Sequence, residues 1–136
     1  AKVELYKRLN SKYKVIRMDF ELIGEDFSSE ERFCTTFINS MARFINMDTK
    51  KASTLTELSN IIIDVTQNDE IVLIVDEVDK NSNNRLFLSF LGMLRSLYLS
   101  REQELSTTFK SVILAGVYDI KNLKIKVRDY SQDILF

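Results

Sequence analysis

The sequence contains no histidine and no proline, and its 136 residues include only three glycines and one cysteine. The absence of histidine excludes His-based zinc sites and nucleophile pairs of the Ser-His or Cys-His type. Any catalysis must therefore depend on carboxylates, lysine, hydroxyl groups or a bound metal. Cys34 has no second cysteine in the chain to pair with. So little cysteine is typical of the reducing cytoplasm, and the apolar neighbours of Cys34 predict a packed core residue.

A long hydrophobic run and a surplus of one charge are also missing. The chain has 19 basic and 20 acidic residues, and its net charge of -1 produces no overall field that would attract nucleic acid or an anionic membrane. No run approaches the roughly 18 apolar residues that a membrane-spanning helix needs, and no basic-then-apolar leader opens the sequence. We therefore predict a cytoplasmic protein that neither spans a membrane nor is exported.

What the sequence does contain is the composition of one ordinary globular domain. Apolar residues make up 45% of the chain and charged residues 29%, and a chain of this length is able to bury a single core. Neither a flexible linker nor an internal repeat divides it. We expect one domain over residues 1–136.

The hydrophobic pattern alternates between the two-residue repeat of strands and the 3.6-residue repeat of helices. The segment IVLIV is continuously apolar, which is typical of a strand buried on both faces of a parallel sheet. The order of elements predicts an α/β fold, a three-layer sandwich with a parallel sheet. The predicted elements are a helix over Ala1–Asn10, a strand over Tyr13–Phe20, helices over about 29–46 and Thr54–Gln67, a strand over Ile71–Val75, a helix over about 85–100 and a strand over Ser111–Val117.

Two of the predicted helices begin with a capping-box pattern. Ser28 is followed three residues later by Glu31, and Thr54 is followed by Glu57 in the same way. In this pattern the hydroxyl accepts from a backbone N–H of the first turn, and the glutamate accepts from the N–H at the cap. We therefore place helix starts at these two points.

Polar side chains follow each predicted strand, where open parallel sheets bind their ligands. They are Asp19 and Glu21 at the end of the first strand, Asp76 and Glu77 at the end of the second, and Tyr118 and Asp119 after the third. Adjacent carboxylates at the end of a buried strand suit a hard cation such as Mg²⁺. One acid of such a pair is able to hold the metal while its neighbour activates water for attack on a phosphate.

The segment IVLIVDEVDK resembles the Walker B motif of AAA-type P-loop ATPases, and SVILAGV resembles their sensor-1 strand. From KVIRMDFE to SVILAGVYDIKNLKIKVR, nearly the whole chain is similar to prokaryotic AAA-like ATPases. The resemblance implies a P-loop NTPase fold and an ATP site. It also implies that Asp76 binds Mg²⁺ and that Glu77 is the general base for the attacking water.

The chain departs from that family in one essential part. A Walker A loop needs G-x-x-x-x-G-K-[ST], whose backbone N–H groups cradle the phosphates, and nothing near Gly24, Gly92 or Gly116 fits. We therefore expect the chain to be an internal fragment that begins just after this loop. The strand that normally lies beside the sensor-1 strand would then also be absent, which would expose an edge that favours self-association.

Two further parts of the family's site have no clear counterpart in this sequence. The end of the SVILAGV strand lacks the small polar residue usual at the sensor-1 position, and Arg95, Arg101 and Arg128 are available as an arginine finger without any sign that selects one. We expect the parent protein to hydrolyse ATP with Mg²⁺ and this chain alone to be inactive. The alternative is a non-catalytic module that contacts protein, or nucleic acid through the basic segment 121–128.

Overall fold

The computed structural model describes residues 13–20, 28–78 and 84–115, and these residues form an α/β fold. The elements are β1 (Lys14–Asp19), α1 (Glu30–Ala42), α2 (Leu55–Val65), β2 (Ile71–Asp76), α3 (Arg85–Glu102) and β3 (Ser111–Leu114). The predicted type of each of these elements is confirmed. The predicted helix over Ala1–Asn10, the residues Glu21, Tyr118 and Asp119, and the segment 121–128 lie outside the described residues.

The three described strands form a parallel sheet in the order β1-β2-β3. Asp19 is the register partner of Asp76 in the first pair, and Val75 is the partner of Leu114 in the second. All six residues of β2 are buried, as the continuous run of β-forming apolar residues predicts for a central strand. The parallel sheet expected from the sequence is confirmed.

All three helices share a core with the same face of the sheet. Their buried side chains form one cluster with Ile16 and Met18 of β1, Leu73 and Val75 of β2, and Leu114 of β3. Both crossovers, from β1 to β2 and from β2 to β3, step in the same direction across the sheet. Because such crossovers are right-handed, they place their helices on one face.

The opposite face of the sheet is also buried. Val15, Val72 and Ile74 form a second apolar cluster there, with Tyr13 and Ile113 packed against it. Each of the first three side chains is at most 3% exposed. The sheet is therefore shielded from water on both faces, as in α/β folds with helices on both sides.

Capping explains where the first two helices begin. The cap of α1 is Ser29, which accepts a hydrogen bond from the Arg32 amide at 3.2 Å, so the expectation that Ser28 caps this helix is wrong by one residue. Thr54 caps α2 as expected and accepts from the Glu57 amide at 3.2 Å. Helix α1 ends at Ala42, earlier than predicted. Beyond it Phe44 is 40% exposed, whereas Ile45 is buried.

The start of α2 is also joined to the start of α1. The Leu55 amide donates to Glu30 Oε2 at 2.7 Å, and the Ser53 amide donates to Glu57 Oε1 at 3.0 Å. These carboxylates satisfy backbone N–H groups that a helix start leaves without partners. The starts of α1 and α2 therefore lie together.

Candidate functional site at the carboxyl edge of the sheet

The carboxyl ends of the three strands meet at one edge. The Phe20 amide donates to the Asp76 carbonyl at 2.9 Å, and the Ala115 amide donates to the Val75 carbonyl at 2.9 Å. Asp19 is therefore held beside Asp76 on one side, and Ala115 on the other. The acids expected from the sequence at positions 19, 76 and 77 are brought to this edge.

Asp76 is buried and ion-paired. The residue is 2% exposed, and its Oδ2 accepts from Arg17 Nε at 3.3 Å and from Arg17 Nη2 at 3.2 Å. Burial of a carboxylate is costly unless a positive charge and hydrogen bonds offset the lost hydration. Arg17 supplies both, from a side chain that is itself 41% exposed.

The backbone bulges at Glu77, directly after Asp76. In an unbroken parallel ladder the amide of residue 77 would donate to the Ala115 carbonyl, but the amide of Val78 does so, at 3.2 Å. Glu77 is the extra residue and has a φ of 60°, in the left-handed region that glutamate seldom adopts. Bulges of this kind re-aim side chains and are frequent next to active sites.

The bulge places three consecutive side chains in different surroundings. Asp76 follows the alternation of β2 and lies on the face of Ile74, whereas Val78 is fully buried in the main core together with Val75. Glu77, between them, is half-buried. The carboxylates of Asp76 and Glu77 therefore belong to different surroundings, one dry and paired, the other partly open to solvent.

The donor chemistry of this edge fits a magnesium ion. Mg²⁺ prefers oxygen ligands and in nucleotide sites is commonly bound by one or two carboxylates together with substrate phosphates. Asp76 is a buried carboxylate, and Asp19, its register partner, shares its face of the sheet. Within the described residues, no group of three or more acidic, histidine or cysteine side chains is arranged as a metal site.

Two of the arginines considered as arginine fingers lie in the described residues. Arg101 is at the opposite end of the sheet, where its Nη1 donates to the carbonyls of Phe109 and Lys110 at 2.7 and 3.1 Å. It therefore ties the end of α3 to the start of β3. Arg95 is exposed on α3, and Arg128 lies outside the described residues.

Cys34 is a core residue, as its neighbours in the sequence predict. The residue is fully buried in α1, and this burial, with the charges of Glu30 and Glu57 nearby, raises the pKa of the thiol to about 11. A thiol that stays protonated at neutral pH is a poor nucleophile. Cys34 therefore takes no part in the candidate site.

Arg17 is the functional candidate that the sequence reasoning missed. It interrupts the apolar middle of β1, with Ile16 before it and Met18 after it. A charged side chain inside a strand needs a partner, but the sequence pattern does not identify which residue that partner is. The partner, Asp76, is 59 residues further along the chain and is defined only by the register of β1 on β2.

Comparison with protein-family models, with curated proteins and with solved structures gives no match. For the residues described, none of the helices combines the length and the apolar character needed to cross a bilayer.

Proposed function

We propose that the carboxyl edge of this sheet is the metal side of an ATP site of the AAA-like P-loop kind. The proposal rests on one observation above all. Asp76 and Glu77 stand at the carboxyl end of the central strand of a parallel sheet, which is where nucleotides bind in such sheets. The parent protein would hydrolyse ATP in the cytoplasm.

The order of the strands supports this proposal. In the proposed fold, a further strand would lie beside β3, and a helix would lead from it to β1. This connection would cross the sheet in the direction opposite to the two crossovers described above. By the rule of right-handed crossovers, such a helix covers the other face of the sheet. Val15, Val72 and Ile74, on that face, are buried, as the three-layer arrangement of P-loop proteins requires.

Asp76 and Glu77 have different roles in the proposed site. Asp76 would hold Mg²⁺, which supplies charge neutralisation at the phosphates when bound. Glu77 would orient a water molecule and accept its proton through the carboxylate, for which its partial exposure leaves access. Phosphoryl transfer depends mainly on such positioning and on electrostatics.

The sequence contains no G-x-x-x-x-G-K-[ST] run. In this proposal, the 136-residue chain therefore supplies the metal side alone and shows no ATP turnover by itself. Self-association of the chain remains part of the proposal.

The test is ATP hydrolysis by the full-length gene product with Glu77→Gln beside the wild type. We expect turnover to fall by about 10²–10⁴, the usual contribution of a general base. Glu104→Gln is a matched control, since Glu104 has the same φ of 60° but lies after α3 at the other end of the sheet. Equal turnover by Glu77→Gln and wild type would contradict the assignment.

The second candidate function is a non-catalytic interaction module derived from such an ATPase. The ion pair of Arg17 with Asp76 favours it, because a buried carboxylate neutralised within the chain serves structure without any metal. A full-length protein that neither binds nor hydrolyses ATP would establish this alternative. For contacts with nucleic acid, affinity must fall as salt is raised.

A further inference from the structure

We propose that Arg17 is a positioning residue that excludes free divalent cations from Asp76, so that the site accepts the metal only as its nucleotide complex. This inference rests on the proposed ATP site and adds a selectivity to it. The substrate class would be a magnesium-nucleoside triphosphate, and bare Mg²⁺ would be rejected.

The geometry places the guanidinium on the oxygen that a metal would use. Arg17 Nε and Nη2 both donate to Asp76 Oδ2, at 3.3 and 3.2 Å. A cation bound to this oxygen would share it with a positive group. Asp76 is 2% exposed and the Arg17 side chain is 41% exposed, so water screens the repulsion between the two cations from the side of Arg17 alone.

The neighbouring carboxylates attract a cation to this edge, so the exclusion must act at Asp76 itself. Asp19 lies on the same face as Arg17 and Asp76, and Glu77 follows the strand, so the described residues at this edge include three carboxylates and one guanidinium. Free Mg²⁺ is attracted to the edge as a whole. At Asp76 itself, however, it must displace two charge-assisted hydrogen bonds, at 3.3 and 3.2 Å.

A metal-nucleotide complex changes this balance because it brings its own negative charge. The Arg17 side chain is 41% exposed, whereas the Asp76 side chain is 3% exposed. The arginine is thus the solvent-exposed partner, and in this proposal it turns from Asp76 toward phosphate oxygens. Guanidinium groups match phosphates through paired N–H donors, so Arg17 would exchange one anionic partner for another.

The experiment measures metal binding without nucleotide. Arg17→Gln removes the charge and keeps an N–H donor for Asp76 Oδ2. With MnCl₂ as the probe, we expect the melting temperature of this variant to rise and its affinity, measured by calorimetry, to exceed that of the wild type by at least about tenfold. The wild-type chain should show little response, and Arg17→Lys, which keeps the charge, should behave like the wild type.

Two controls locate the effect. Lys14→Gln removes the same charge from the same strand, where Lys14 is paired with Asp69 at 3.1 Å at the opposite end, and should add no response to MnCl₂. Asp76→Asn in the Arg17→Gln background should abolish the response. If Arg17→Gln is unfolded without metal, recovery of its circular dichroism with MnCl₂ supports the proposal, and no recovery contradicts it.

Equal responses of wild type and Arg17→Gln to MnCl₂, whether both large or both absent, would overturn the role of Arg17. That result would leave the ATP site itself untouched, because turnover by Glu77→Gln tests the site separately. Conversely, loss of the ATP site would appear as a lack of effect of Glu77→Gln on hydrolysis, whatever the response to MnCl₂.

Discussion

The backbone at Glu77 shows how a single residue shapes the candidate site. A non-glycine residue in the left-handed region costs about 1–2 kcal/mol, and Glu77 bears this cost with a φ of 60°. The extra residue turns Val78 into the main core, and burial of a valine contributes about 1.5–3 kcal/mol. The gain at Val78 therefore outweighs the strain, and it leaves Glu77 outside the core.

We expect the effect of a substitution at Glu77 on stability to depend on how well the new residue tolerates a φ of 60°. Glu77→Gly should leave stability unchanged or raise it by up to about 1 kcal/mol, because the missing Cβ removes the strain while flexibility of the unfolded chain offsets part of the gain. Glu77→Val should lower stability by more than about 1 kcal/mol, since β-branched residues are least tolerant of positive φ. Urea unfolding measures both.

Glu77→Gln is the control for this series, because it keeps the Cβ and the length of the side chain. It should unfold within about 0.5 kcal/mol of the wild type, because neither the backbone strain nor the size of the side chain changes. If Glu77→Gly proved as destabilising as Glu77→Val, the left-handed conformation would not be the reason for the difference.

At the scale of the element, the end of α3 is closed by a Schellman motif. The Leu105 amide donates to the Ser100 carbonyl and the Glu104 amide to the Arg101 carbonyl, both at 2.9 Å. Glu104 is the left-handed residue of the motif, with a φ of 60°. Glycine is the usual residue at this position because it adopts a positive φ without strain. The glutamate at this position is therefore strained.

Glu104→Gly should therefore stabilise the protein by about 0.5–1 kcal/mol. Glu102→Gly is the matched control, because it removes the same charge from the last turn of α3 but places glycine at a helical φ. It should destabilise by about 0.5–1 kcal/mol. Thermal unfolding of both variants at one pH checks the difference in sign, and a shift in the same direction for both would contradict the capping argument.

At the scale of the whole molecule, an aromatic cluster joins the sheet to two of the helices. Phe90 of α3 lies with its ring centroid 5.1 Å from Phe33, 5.2 Å from Phe37 and 5.9 Å from Phe20. All four rings are fully buried. Because Phe20 directly follows β1, this cluster supports the edge at which Asp19 and Asp76 meet.

Phe90→Ala should lower the free energy of unfolding by about 3–5 kcal/mol, through lost burial and the cavity it leaves. Phe44→Ala is the matched control, since Phe44 is 40% exposed and its truncation should cost less than about 1 kcal/mol. Chemical denaturation of the two variants measures the difference. Similar losses in both would mean that the cluster is not the main support of the fold.

Much of the fold was predictable because local patterns report local structure. The six-residue burial of β2 follows from its run of apolar β-formers, and the cap at Thr54 follows from the glutamate three residues later. Boundaries were predicted less well. Ser29 replaces Ser28 as the cap of α1, because two adjacent serines present the same hydroxyl and only the path of the chain selects one.

The sequence by itself determined that this protein forms an α/β domain with acids after a buried strand, since periodicity and burial are properties of neighbouring residues. Only the tertiary structure decided that Arg17 holds Asp76 and that Glu77 bulges from the ladder. The reason is physical: the first feature depends on the register of β1 on β2 and the second on the register of β2 on β3, and in both cases the paired strands lie far apart in the sequence. Such a register is a property of the assembled sheet, which no local pattern encodes.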